Sequence, residues 1–232
     1  MSTGNWKQRA FKQFTLYAVT DVRNSKKKII ASIDKALQGG ADVIQLRSKV
    51  IPDRDLFSIG REIRKLTRRR KKLFFINDRP DLVIALDADG IHLGQDDLPI
   101  PVARAIFSSC RMKVFIGKST HSLRQAQEAE REGADYIGVG PVFSTPTKKD
   151  YKAVGLELIK QVKKHITIPF VCIGGINQRN VKDVLSAGAD RIAVVRAVFS
   201  ASNPYTAAKN LKKLIVDKND TRSDTNRNTK IH

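Results

Sequence analysis

The sequence predicts an α/β fold, a single (β/α)8 TIM barrel with a disordered basic and polar C-terminal tail, on three observations. One pattern recurs four times: GGADVIQL (39–46), LDADGIHL (86–93), EGADYIGV (132–139) and AGADRIAV (187–194). Each reads Ala-Asp, a spacer, then an isoleucine inside an apolar or alternating run, at intervals of about fifty residues. Between these strand-like segments lie four others, at 15–21, 73–78, 114–120 and 170–176. Helical periodicity links successive runs, as in Leu123-Arg124-Gln125-Ala126-Gln127-Glu128-Ala129-Glu130, where Gly133 ends the helix before the next strand. Eight strand–helix units at a spacing of roughly 20–25 residues describe a barrel, with a doubly wound sheet as the lesser alternative.

The boundaries follow from composition. Residues 1–13 read as a polar N-terminal extension, 14–215 as the barrel, and 216–232, rich in Asn, Asp, Thr and Lys without periodicity, as a disordered tail. A chain of 232 residues with 41% hydrophobic content can build one large core. No run of about eighteen apolar residues exists to span a membrane. The first twelve residues lack an apolar signal core, so secretion is not expected. Cys110 and Cys172 are isolated, with neither metal-ligand nor disulfide spacing, which fits a cytoplasmic protein.

A net charge of +20 favours anionic partners. The densest run, Arg68-Arg69-Arg70-Lys71-Lys72, ends a helical pattern and suits a helix C-terminus. Basic residues are not interleaved with aromatic stacking platforms, so the charge does not read as a nucleic-acid surface. Small phosphorylated molecules are the expected partners. Oligomeric state is not fixed by the sequence, and a homo-oligomer is compatible with it.

In a barrel of this kind the C-terminal strand ends carry the active face. The second strand ends in Gln45-Leu46-Arg47-Ser48-Lys49, and period-two alternation puts Gln45, Arg47 and Lys49 on one face. Cations there need an anion, because burying them unpaired is costly. The third strand ends in Asn77-Asp78 and the fourth in His92-Leu93-Gly94-Gln95-Asp96-Asp97. Carboxylates on neighbouring strands suit one hard cation such as Mg²⁺, which takes one or two carboxylates with phosphate oxygens and water. Each aspartate is equally suited to cap the helix that follows it.

The fifth strand gives Gly117-Lys118-Ser119-Thr120-His121. The sixth opens into GPVFSTPTKKD (140–150), whose hydroxyls and lysines read either as an anion cradle or as a solvated turn. The seventh ends in Gly174-Gly175-Ile176-Asn177 and the eighth in Val194-Val195-Arg196. Glycines after strand seven, with backbone donors after strand eight, form a phosphate site common to such barrels. Two anion sites thus share one face. The cationic, metal-linked one suits a diphosphate, and the glycine-backbone one suits a monophosphate. No Ser-His-Asp order, paired glutamates or Cys-His nucleophile is present, so the diphosphate reads as a leaving group.

QLRSK (45–49), FINDRPDLVIALDADGIHLGQDDLP (75–99), GKSTHS (117–122), GADYIGVGPVFSTPTKKD (133–150), VCIGGINQRNV (171–181) and AGADRIAVVRAVF (187–199) together resemble the thiamine phosphate synthase family. The resemblance spans about residues 14–210 in order. It implies a (β/α)8 barrel transferase that couples 4-amino-2-methyl-5-hydroxymethylpyrimidine diphosphate to a thiazole phosphate, releasing diphosphate and forming thiamine phosphate. It assigns the stretch Gln45, Arg47, Ser48 and Lys49, with Asn77, to the pyrimidine diphosphate. Asp78 and Asp97 would hold Mg²⁺, a choice of Asp97 over Asp96 that alternation alone does not make. Ser119 and Lys148 would contact the diphosphate, and Arg47, Lys49, Ser119 and Lys148 would carry the chemistry. Thr145, Pro146, Thr147, Gly175, Val195 and Arg196 would hold the thiazole phosphate.

Two positions depart from the family. It usually has glutamate at Ser48 and often serine at Arg196. Ser48 alternates outward, so that change bears on support more than on chemistry. His165 and His232 read as surface residues, and His92 as packing or bonding within the barrel. The runner-up is the related thiazole tautomerase, with His121 as the proton-transfer group. A non-catalytic phosphate sensor or a basic nucleic-acid binder is the reading from another class. Asp78, Asp97 and the Thr145-Pro146-Thr147-Lys148 run weigh against these, since none needs a diphosphate site.

Overall fold

In the computed structural model, which describes residues 5–21, 26–145 and 152–228, eight parallel strands close into a barrel in sequence order. The strands are β1 (Leu16–Val19), β2 (Val43–Leu46), β3 (Leu73–Asn77), β4 (Gly90–Leu93), β5 (Phe115–Thr120), β6 (Tyr136–Val139), β7 (Phe170–Cys172) and β8 (Ile192–Val194). A short helix α1 (Asn5–Gln13) precedes them. Between them run α2 (Lys26–Gln38), α3 (Asp53–Arg69), α4 (Pro80–Leu86), α5 (Ile100–Ser109), α6 (Leu123–Arg131), α7 (Gly155–His165) and α8 (Val181–Ser186). After β8 come α9 (Arg196–Phe199) and α10 (Pro204–Asn228). β1 pairs with both β2 and β8, which closes the sheet. The predicted barrel is therefore the fold, and the doubly wound alternative is not.

Closure makes two apolar layers. The outer one lies between strands and helices and includes Leu16, Ile44, Phe74, Ile91, Ile116, Ile137 and Ile192. Alternate residues of the same strands point inward, giving an inner cluster of Tyr17, Val43, Leu73, Phe75, Tyr136, Val171 and Ala193. Helix α1 joins that inner cluster. Its Phe11 stacks on Phe115 at 3.9 Å, and Phe14 packs edge-on to Tyr17 and Tyr136. The N-terminal segment, read as a polar extension from its average composition, thus places its few aromatics in the bottom of the barrel. At the other end, α10 continues into the stretch expected to be disordered; its inner face buries Ala208, Leu211 and Ile215.

The recurring aspartate has a structural use that its spacing did not disclose. Asp42 accepts the Leu16 N–H at 3.2 Å, Asp89 the Phe74 N–H at 3.0 Å, and Asp135 the Ile116 N–H at 2.7 Å. Each therefore stitches an even strand to the preceding odd one at the N-terminal end of the barrel. Each also meets a cation: Lys72 at Asp42 (2.7 Å), Arg64 at Asp89 (2.8 and 3.0 Å) and Arg104 at Asp135 (2.8 Å); the fourth aspartate of the repeat, Asp190, meets Lys163 (2.9 Å). The repeat belongs to the stability face, opposite the strand ends that carry chemistry.

Asp89 and Arg64 form the most enclosed of these pairs, with side chains 0% and 7% exposed. Removing one partner of a buried pair leaves the other charge uncompensated, at about 3–5 kcal/mol. Asp89→Ala is expected to lower the melting temperature by roughly 10 °C in thermal denaturation. An unchanged melting temperature would show that Asp87, 3.6 Å from Arg64, and water suffice for the guanidinium and the Phe74 amide.

Candidate active site

The C-terminal mouth of the barrel opens into a cavity of about 460 Å³, within the range of small-molecule sites. From β2 it takes Gln45 and, just beyond, Arg47, as alternation predicted; Asn77 comes from β3 and Ser119 from β5. Thr145, Gly175, Val195 and Arg196 line the same space. Residues from both predicted anion sites therefore share one cavity. Pro146, Thr147 and Lys148 lie outside the described residues.

Arg47 is held from two sides. Its backbone N–H donates to Thr20 Oγ1 at 2.9 Å, and its guanidinium stands 3.5 Å from Asp21. Ser48 does not line the cavity; its hydroxyl accepts the N–H groups of Val50 (3.2 Å) and Ile51 (3.1 Å) and shapes its own turn. Lys49, which alternation set on the same face as Gln45 and Arg47, does not line the cavity and is exposed, because the chain has left the strand and turns there.

Asp78 and Asp97 meet through their carboxylates, beside the cavity rather than in its lining. Neither caps a helix: the N-cap residues of α4 and α5 are Arg79 and Pro99, and neither helix has a side-chain cap bond. Asp78 adopts a left-handed backbone (φ +61°), tolerated by aspartate, and its N–H donates to the His92 carbonyl at 3.0 Å. Asp97 accepts the Gly94 N–H at 2.6 Å, whereas Asp96 is exposed. A side chain at Gly94 would come within 2.8 Å of that carboxylate, so the glycine makes room for it.

Burial, then the contact with Asp97, pushes the Asp78 carboxyl up to about 7, against the pull of Arg47 and Asn77. Asp97 moves the other way. Burial opposes its ionisation, but Asp78, the Gly94 amide, Lys118 and Lys49 outweigh that and hold it below the usual carboxylate range. Two touching carboxylates thus require something positive between them, a proton or a cation. Oxygen donors with room for phosphate and water suit a hard divalent ion. Among the described residues no cluster of three or more His, Cys, Asp or Glu offers a fuller protein cage.

The glycine pair after β7 serves close approach. Gly174 (φ +104°) would bring a side chain within 2.4 Å of Pro141, and Gly175 (φ +66°) within 2.7 Å of Phe143. Only glycine lets the loop after β6 lie against the loop after β7. The Phe143 N–H donates to the Gly174 carbonyl at 3.0 Å, which fixes the start of the predicted cradle. Arg196, exposed at the mouth, begins α9 directly after Val195.

Three features escaped the sequence reading. Lys118 is 8% exposed and sends its charge toward Asp97, although alternation turns it away from the barrel axis. His92 bonds within the barrel as expected, but to Ser119 and Tyr136, and it lines the cavity. Tyr17 and Tyr136, which no sequence motif singles out, carry a buried hydrogen-bond chain. The available signal was Gly117, where a side chain would meet the Tyr136 ring at 2.1 Å. His121 also lines the cavity and directs Nδ1 to the Gly140 carbonyl.

A parallel eight-stranded barrel with a glycine-lined cavity and a carboxylate pair at its C-terminal mouth defines the class: a (β/α)8 barrel protein. Within that class, the chain belongs to the thiamine monophosphate synthase family, whose model matches residues 16–198. It is 48% identical over 200 residues to the thiamine-phosphate synthase of Pyrococcus horikoshii, covering 86% of this chain and 94% of that one. It is 45% identical over 202 residues to the thiamine-phosphate synthase of Chloroflexus aurantiacus, covering 86% and 92%. Its fold matches the solved thiamine phosphate pyrophosphorylase from Pyrococcus furiosus with a TM-score of 0.81 and 40% identity, over 90% and 98% of the two chains. The resemblance carried by the sequence motifs is borne out.

Proposed function

We propose that the chain is a thiamine phosphate synthase, a transferase of thiamine biosynthesis that joins the pyrimidine diphosphate to the thiazole phosphate. The observation that carries this reading is one cavity bounded by the Arg47 side and the Gly175–Arg196 side, with the Asp78–Asp97 pair beside it. Gln45, Arg47 and Asn77 bind the pyrimidine diphosphate, with Lys49 closing over it from the rim. Gly175, Val195 and Arg196, with Thr145 to Thr147, bind the thiazole phosphate. Asp78 and Asp97 fit Mg²⁺, which when bound neutralises diphosphate oxygens as charge develops on them.

In the reaction the C–O bond between the pyrimidine methylene and the diphosphate breaks, and its electron pair leaves with the diphosphate. The aminopyrimidine carries the resulting cation, and the thiazole ring nitrogen supplies the pair for the new C–N bond. No proton has to leave, since thiazolium and free diphosphate balance the charge. The protein's work is to hold the two rings in line and to offer Arg47, Lys49, Lys148 and the Ser119 hydroxyl to the departing group. The cytoplasm fits both this metabolism and the two unpaired cysteines. Among the described residues no helix is long and apolar enough to cross a membrane. The tautomerase alternative gives no use to the touching carboxylates.

Complementation tests the reading. The gene is expected to restore growth without thiamine to a bacterium lacking its own thiamine phosphate synthase. Failure by soluble, folded protein would count against it.

Arg196 supplies a second test. At the mouth beside the glycine loop, a guanidinium on the thiazole phosphate adds a charge-assisted bond of about 1.5–3 kcal/mol. Arg196→Ser should raise the thiazole phosphate KM about tenfold to a hundredfold, with the pyrimidine KM little changed. Equal thiazole KM values in steady-state kinetics would mean that only the backbone at this position meets the phosphate.

A further inference from the structure

Along the cavity floor, five residues from five strands form a hydrogen-bonded chain across the barrel. Gln45 Nε2 donates to the Tyr17 hydroxyl at 2.8 Å, and the Tyr17 and Tyr136 hydroxyls lie 3.0 Å apart. The Tyr136 hydroxyl is 2.9 Å from His92 Nδ1, and His92 Nε2 is 2.9 Å from Ser119 Oγ. Both ends, Gln45 and Ser119, line the cavity. The space for the chain is provided by glycines. A side chain at Gly117 would overlap the Tyr136 ring, and one at Gly138 would lie 3.0 Å from His92 Cε1. Such a fitted, buried polar network is costly unless every member is satisfied.

Counting protons gives the chain a direction. Each hydroxyl has one proton to donate, and each neutral imidazole has one N–H. Burial holds both tyrosines well above the usual phenol range, so both keep their protons. Tyr17 accepts from the Gln45 amide, so its own O–H points to Tyr136. The Tyr136 O–H then points to His92 Nδ1, which must be the unprotonated nitrogen. The imidazole proton sits on Nε2 and is donated to Ser119 Oγ. That leaves the Ser119 O–H with nowhere to go but the cavity.

We propose that His92 is a positioning residue: the Gln45–Tyr17–Tyr136 chain fixes its tautomer, and its Nε2–H turns the Ser119 hydroxyl into the cavity as an obligate donor to an anionic oxygen. This deepens the reading of the cavity as a diphosphate site and rests on it for the identity of the anion. The opposite direction, with the Gln45 amide reversed, would protonate Nδ1 and turn the Ser119 proton back toward His92. That arrangement would present only lone pairs to a phosphate. The two directions make opposite predictions.

The direct test is nitrogen NMR on the free protein labelled with ¹⁵N-histidine, with His92→Gln identifying the His92 signals. The expected spectrum has a pyridine-type shift at Nδ1 and a pyrrole-type shift at Nε2. A pyrrole-type Nδ1 would overturn the proposal. Because no substrate is present, this result stands apart from which reaction the cavity catalyses. The kinetic arm uses Tyr136→Phe, which keeps the ring in its glycine-lined space and removes the hydroxyl that accepts from Tyr17 and donates to Nδ1. It should raise the pyrimidine diphosphate KM by about tenfold, with the thiazole phosphate KM unchanged. In a Ser119→Ala background the same change should cost nothing further. Losses that multiply, or that fall on both substrates alike, would show a merely structural role and overturn the proposal.

Discussion

Asp78→Asn and Asp97→Asn should each lower coupling by about a thousandfold or more, the scale on which a charge stabilising the leaving group is lost. Asparagine keeps shape and hydrogen bonding, so circular dichroism and the melting temperature should stay near wild type. The pair has a pH signature as well. The Asp78 carboxyl, raised to about 7, holds a proton below that pH and must lose it for a cation to bind. Apparent Mg²⁺ affinity should therefore fall as pH drops below about 7, by roughly tenfold per unit for one displaced proton. Calorimetric titration at several pH values checks this. A flat profile would mean that the carboxylates do not share the ion.

Arg47→Ala should cost about a hundredfold to a thousandfold in kcat/KM for the pyrimidine diphosphate. The guanidinium is 13% exposed, faces the cavity and has Asp21 at 3.5 Å as an ion partner, a length that leaves donors for phosphate oxygens. It also lowers the Asp78 carboxyl, so its removal should raise that group further and weaken Mg²⁺ binding. Arg47→Lys should recover only part of the loss, because an ammonium restores charge without the planar fork. If Arg47→Ala changes only the thiazole KM, the assignment of this side of the cavity to the diphosphate is wrong.

The barrel was legible because its signals are local. Four Ala-Asp-x-Ile segments and four intervening apolar runs give eight strands without knowledge of any contact. Alternation then aimed Gln45 and Arg47 at the cavity, since a parallel strand leaves its side chains no other choice. Other features depend on contacts between distant segments. Asp97 is selected over Asp96 by the turn at Gly94, which points one carboxylate inward and leaves the other in solvent. The use of Asp42, Asp89 and Asp135 as inter-strand stitches needs a backbone amide on the preceding odd strand. The aromatics of α1 are hidden in a polar average, and their place becomes clear only when the barrel bottom is present to receive Phe11. Tyr17, Tyr136 and His92 lie on three strands far apart in sequence, and nothing local joins them. Ser48, which the resemblance singled out as a departure, braces its own loop.

The most direct measurement is thiamine phosphate formed by the purified protein from the pyrimidine diphosphate and the thiazole phosphate, with and without Mg²⁺. Product with one diphosphate released per turnover is expected in the presence of Mg²⁺, and almost none in excess chelator or with Asp78→Asn. Full turnover in chelator would contradict the role given to the carboxylate pair, and no product under any condition would contradict the function itself.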